Sequence, residues 1–87
     1  MILDPTARFW IEDGAAAVEN MLLAATALGY GSCWLEGNTQ SREDELKPIL
    51  GVPEHLRLFT LVSVGVPAER PTKDKRTLED VLHWEKF

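Results

Sequence analysis

The chain has 87 residues, enough for one small domain, with 45% apolar and 26% charged residues. Those fractions are ordinary for a globular protein and exclude a disordered chain, while a domain of this size buries only about 60–65% of its unfolded surface. Fourteen acidic residues against nine basic ones give a net charge of −5, which argues against general nucleic-acid binding, since that affinity rests on phosphate neutralisation.

Met1 to Pro5 shows no basic segment leading into an apolar one, so no signal peptide is expected. No apolar run approaches the ~18 residues of a membrane-spanning helix. Cys33 is the only cysteine, so no intrachain disulfide can form, and a reducing, cytoplasmic setting is expected.

The first predicted element is a helix over residues 14–28. Val18, Met21, Leu22, Ala25 and Leu28 recur at helical spacing on one stripe, Asp13 is the expected N-cap, and Gly29 suits the left-handed position after the last turn. Alanines at 15, 16, 17, 24, 25 and 27 make it thin, which suits a central, closely packed element. Residues 32–35 (SCWL) read as a short strand, and Glu36-Gly37-Asn38 as a turn.

Ser41 is the expected cap of a second helix, with Asp44 completing a capping box and Leu46, Ile49 and Leu50 on its buried face. Pro48 should kink or shorten it, and Gly51 followed by Pro53 should end it. Residues 58–66 (LFTLVSVGV) read as a strand buried on both faces. The helix-containing connection between the two strands is long enough for a parallel crossover. Residues 68–76 form a charged linker, and Thr77 is the expected cap of a short final helix carrying Leu78, Val81 and Leu82. Trp84 and Phe87 are left wanting a partner surface, which predicts self-association. The sum is an α+β or α/β chain.

An alanine-rich segment, D-x-x-A-A-x-x-N-M-L-L-A-A-x-A-L-G, occupies residues 13–29 and runs into G-Y-G-S-C-W-L-E-G at residues 29–37. L-G-V-P follows at residues 50–53, V-S-V-G-V-P at 62–67 and K-R-T-L-E-D-V at 75–81. This ordered set resembles the FMN-dependent nitroreductase family, in its C-terminal half. The resemblance implies an α+β fold with a central sheet flanked by helices, an intertwined homodimer and FMN held non-covalently at its interface. It implies transfer of a hydride from NADH or NADPH through FMN to a nitroaromatic, quinone or similar small-molecule acceptor.

Residue by residue, the resemblance implies that Trp34, Leu35, Glu36 and Gly37 line the flavin ring, with main-chain amides near Glu36 and Gly37 at its N5 and O4 edge. It also implies that Arg76, with Lys75, meets the FMN phosphate. The Arg-Ser-x-Arg motif of the family's N-terminal half has no match in residues 1–10, where Arg8 stands alone before Phe9. The expectation is therefore a single partial domain over residues 1–87, lacking the N-terminal FMN-binding half. It is a truncated product, a fragment of a longer polypeptide, or one half of a pair. The alternative function is a catalytically silent fragment acting as a dimerising or flavin-binding module.

Chemically, hydride transfer asks little of side chains, because the cofactor carries the reaction. No catalytic side chain is assigned, and Glu36 is expected to offer its amide and not its carboxylate. Arg76 is preferred over Lys75 for a phosphate because it is planar, permanently charged and bidentate. Arg70 and Lys73 are read as solvated loop charges, and Cys33 as a small buried hydrophobe. His55 and His83 have no companions at metal-ligand spacing, so no metal is expected.

Overall fold

A computed structural model describes residues 1–87. In chain order the elements are β1 (Ile2–Leu3), α1 (Trp10–Ala27), β2 (Gly31–Trp34), α2 (Glu36–Ser41), α3 (Glu43–Leu50), β3 (Arg57–Leu58) and β4 (Val62–Gly65). The architecture is α+β, with the strands in two separate ladders, β1 with β3 and β2 with β4. Both ladders are antiparallel, so the parallel crossover expected from the length of the connection does not form. A connection of that length permits either sense; the direction in which the chain returns decides it.

Helix α1 begins at Trp10, four residues before the expected start, and Asp13 does not cap it. The Asp13 amide donates to the Phe9 carbonyl at 2.9 Å, so Asp13 already lies in the first turn, beside Glu12. Tertiary packing explains the extension: the Trp10 ring meets Phe59 edge-on with centroids 6.2 Å apart. The far end stops as the sequence predicts. Gly29 takes a positive φ of 85°, its amide bonds to Thr26, and the Tyr30 amide bonds to the Ala25 carbonyl at 2.9 Å.

Of the predicted stripe on α1, Val18 and Ala25 are buried, while Met21 and Leu28 are exposed. The thin helix is packed on one narrow line and not surrounded. Gly14 marks the closest approach: a Cβ there would lie 2.4 Å from Leu3 Cδ1 and 3.1 Å from two Phe59 ring atoms. Residue 14 is therefore where the aromatic core presses against the helix backbone.

The strand expected over residues 58–66 is broken. Leu58 pairs with Ile2 and Val62 with Trp34, and the chain crosses between ladders at Phe59, Thr60 and Leu61. Phe59 and Thr60 are buried at this crossing, with Phe59 between Trp10 and Trp34. Beyond it, Val64 and Val66 are exposed, so burial on both faces holds only for the first part of the segment.

Helix α3 runs through Pro48 and ends at Gly51, whose φ is 65°. The residue before it is Arg42, and no side chain caps it. Ser41 instead closes α2 and donates to the Asn38 carbonyl at 3.2 Å, which removes the expected capping box. Ile49 and Leu50 are exposed and Leu46 half-buried, so the buried contact on α3 is made by Glu43 and not by the apolar stripe.

The final helix is absent. Thr77, Leu78 and their neighbours form one turn, with Leu82 donating to Leu78 at 2.9 Å and Asp80 to Thr77 at 3.2 Å. A single turn does not repay helix nucleation without a surface to pack on, and residues 68–87 are all exposed. His83 stacks on Phe87 at 4.2 Å, while Trp84 and Phe87 remain open to solvent as the sequence implied. No helix is long and apolar enough to cross a membrane.

Candidate functional site

The residues Trp34, Leu35, Glu36 and Gly37 meet at one place, the junction where β2 passes into α2. Strand β2 reaches it in register with β4, Trp34 opposite Val62. The Trp34 ring turns inward to Phe59, centroids 6.1 Å apart, and its indole Nε1 is buried without a partner. Trp34 is thus the half-buried member of the pair and Leu35 the exposed one, in keeping with strand alternation.

Alternation also corrects the reading of Cys33. Trp34 faces the core, so Cys33 faces the other side of the ladder, with Ser63 opposite it and nothing covering either. Its thiol is exposed. Intrinsic preference for burial gave the wrong side because only one face of this two-stranded ladder is packed.

Glu36 and Gly37 form the first turn of α2 and not an irregular turn. Leu35 sits at the N-cap position with no side-chain capping bond. The Leu35 amide donates to the Leu61 carbonyl at 3.0 Å, which ties the junction to β4. The amides of Glu36, Gly37 and Asn38 have no intrahelical acceptor, as in any first turn. A Cβ placed on Gly37 would meet nothing within 4 Å, so the backbone there is open to a close neighbour. The Glu36 carboxylate is engaged by Gln40 Nε2 at 2.9 Å, leaving the amide as the free group.

Lys75 and Arg76 are not brought into contact with this junction. Both are exposed in the segment after β4, and neither makes a hydrogen bond or ion pair. The final helix expected to begin directly after Arg76, at Thr77, does not form to order it. Arg70, read as a free loop charge, instead donates from Nη2 to the Gly29 carbonyl at 3.4 Å. A cation there suits the carbonyl-rich end of α1, which has no basic residue in its last turn.

Two supporting groups escaped the sequence reading. Thr39 is 1% exposed, and both its amide and its hydroxyl donate to the Leu35 carbonyl. Glu43 accepts Arg57 Nε on both carboxylate oxygens, at 3.0 and 2.9 Å, and Arg57 Nη2 at 2.6 Å. Its Oε1 also accepts the buried Leu58 amide at 2.8 Å. Arg57's hydrogen bonds hold the Glu43 carboxyl below the usual carboxylate range against the opposing effect of burial, and raise Arg57 in return. This clamp fastens α3 to β3 and so fixes the base on which α2 stands. The only local signal was the acidic run 43–45; its partner lies 14 residues away, beyond any local pattern.

A family model described as Nitroreductase family matches residues 4–66. The chain belongs to the nitroreductase family. It is 40% identical over 84 residues to an Archaeoglobus fulgidus protein with the provisional name NADH dehydrogenase/NAD(P)H nitroreductase, covering 90% of this chain and 47% of that one. Among solved structures, an FMN-dependent nitroreductase from Clostridium difficile superimposes with a TM-score of 0.80 at 25% identity, covering 99% of this chain and 55% of that one. A nitroreductase with bound FMN from Bacteroides fragilis gives a TM-score of 0.73 at 31% identity, covering 98% of this chain and 48% of that one. The chain therefore has a partial nitroreductase-like fold, spanning about half the length of these relatives.

Proposed function

We propose that this chain contributes one half of an FMN site in a flavin-dependent NAD(P)H oxidoreductase, the half that faces the reactive edge of the ring. The observation that carries this reading is the β2–α2 junction. There, uncapped main-chain amides at Glu36 and Gly37 stand next to open space above a glycine. Such a surface fits a planar, hydrogen-bond-accepting ring, and family membership with an FMN-bound relative supplies the ligand class.

Bound FMN would supply the redox chemistry, taking a hydride from NADH or NADPH and delivering it to a nitroaromatic, quinone or similar acceptor. The chain's part is to bind and orient. Amides of Glu36 and Gly37 donate to the ring edge as fixed dipoles, needing no rearrangement when negative charge develops there. Leu35, exposed beside these amides, would line the ring, while Trp34 holds the junction to Phe59. Arg76, assisted by Lys75, would meet the phosphate; both are exposed and unpaired on the segment after β4. A small-molecule acceptor, a homodimer and a cytoplasmic setting complete the proposal.

The alternative of a silent flavin-binding or dimerising module has its own support: only nine of 87 residues are buried, and large apolar groups such as Leu23, Leu28 and Trp84 are exposed. Flavin fluorescence titration separates the readings from nonbinding. The chain alone should bind FMN weakly, and more tightly when mixed with a polypeptide carrying the family's Arg-Ser-x-Arg half. NAD(P)H oxidation by the mixture favours the oxidoreductase, and binding without turnover the silent module. No FMN binding in either case would refute the oxidoreductase and the flavin-binding module and leave only the dimerising one.

A further inference from the structure

We infer that Thr39 is a positioning residue that aims the Glu36 amide out of the β2–α2 junction. The inference rests on the flavin reading for its use, but its geometry stands independently. The Leu35 carbonyl and the Glu36 N–H belong to one planar, trans peptide group, so they point in opposite directions and cannot be turned separately. Whatever holds that carbonyl also aims that amide.

Two donors hold it, and both belong to Thr39. The Thr39 amide makes the first helical bond of α2 to Leu35 at 3.3 Å, and the Thr39 hydroxyl bonds to the same oxygen. An amide at 3.3 Å is a long bond, so the hydroxyl adds a second constraint where the first is weak. On the other side of Leu35, its own N–H is fixed to Leu61. The Leu35–Glu36 peptide is thus held at its carbonyl, and the peptide before it at the Leu35 N–H, with the Glu36 N–H directed away from the helix.

Burial makes the arrangement selective. Thr39 is 1% exposed, so its hydroxyl has no water to turn to and the Leu35 carbonyl is its sole acceptor. A threonine placed to bond the carbonyl four residues back usually bends or loosens a helix slightly. At this position the same bond stabilises the first turn, which no side chain caps from the front. The Glu36 carboxylate, held by Gln40, is kept from folding back over its own amide. With its carbonyl held by Thr39, the Leu35–Glu36 peptide has one free group, the Glu36 N–H.

The test compares the chain with Thr39→Val, which keeps the shape and removes the hydroxyl, and Thr39→Ser, which keeps the hydroxyl. Residual dipolar couplings report the direction of the Glu36 N–H, and fluorescence titration reports affinity for FMN and for riboflavin. Thr39→Val should shift the Glu36 coupling and weaken both flavins alike by about three- to tenfold, the effect of losing one oriented hydrogen bond. Thr39→Ser should restore both readouts, which a merely space-filling role would not predict. An unchanged Glu36 coupling in Thr39→Val, or an unchanged affinity where the parent chain binds flavin, overturns the inference. Should Thr39→Val fail to fold, the unaltered chain decides. A slowly exchanging Thr39 hydroxyl proton supports the bond, and one exchanging too fast to observe refutes it. If the coupling shifts in Thr39→Val but the parent chain binds no flavin, the positioning role survives and the flavin reading falls.

Discussion

Removing the Glu43 carboxylate should reveal how much of this small fold hangs on one buried clamp. Each charge-assisted hydrogen bond is worth about 1.5–3 kcal/mol when sheltered. Arg57 is half exposed, with 49% of its side chain accessible, so water competes for its share and the ionic part is worth only about 1 kcal/mol. Leu58 is different. It is 2% exposed, and its amide has no acceptor but Glu43 Oε1, so orphaning it costs a further ~1–3 kcal/mol.

Glu43→Gln keeps an oxygen for Leu58 and should cost about 1 kcal/mol, whereas Glu43→Ala loses both and should cost about 2–4 kcal/mol. Against a total stability of roughly 4–13 kcal/mol for a chain of this length, the alanine variant should be visibly marginal. Urea unfolding at pH 7, followed by tryptophan emission, measures both. Equal costs for the two variants would refute the view that the Leu58 amide depends on Glu43. The pH dependence has a definite sign. The carboxyl is depressed in the folded chain, so its contribution is complete above the ordinary carboxylate range of the unfolded chain and is lost as pH falls through the lowered folded value. Glu43→Gln should flatten that acid limb.

Gly14→Ala gains about 0.5–1 kcal/mol of helix propensity but forces a methyl against Phe59, whose ring is confined by Trp10 and Trp34, at a cost of about 1–3 kcal/mol. A lowered melting temperature is expected; a raised one would show that Leu3 and Phe59 give way freely. Gly37→Ala should do the reverse, adding up to about 1 kcal/mol of stability in open space while weakening FMN, because the new methyl blocks the backbone. A variant that binds FMN unchanged would remove Gly37 from the site. Arg76→Ala should weaken FMN about tenfold or more and spare riboflavin, which has no phosphate. Equal loss for both would make Arg76 a support of the fold. Cys33 should react fully with a disulfide-exchange reagent in the native chain, and protection until denaturant is added would contradict its exposure.

The sequence by itself determined the punctuation of the fold and the family. Gly29 and Gly51 end their helices in left-handed conformations because those demands are local and glycine meets them without steric cost. The W-L-E-G segment was picked out by the family resemblance, and its four contiguous residues stand where β2 passes into α2. Tertiary structure decided everything that depended on which surfaces meet. It extended α1 back to Trp10 through Phe59, broke the long apolar segment at the crossing between two ladders, and set both ladders antiparallel.

It also exposed Cys33, since residue preference cannot say which side of a strand is covered, and left Thr77 without a helix to cap, since one turn needs a packing surface that residues 68–87 lack. The Glu43–Arg57 clamp and the Thr39 bond to Leu35 were invisible for opposite reasons. The first joins residues too far apart for any pattern. The second is a short-range bond whose meaning appears only once the hydroxyl is buried and the peptide it holds carries the free Glu36 amide.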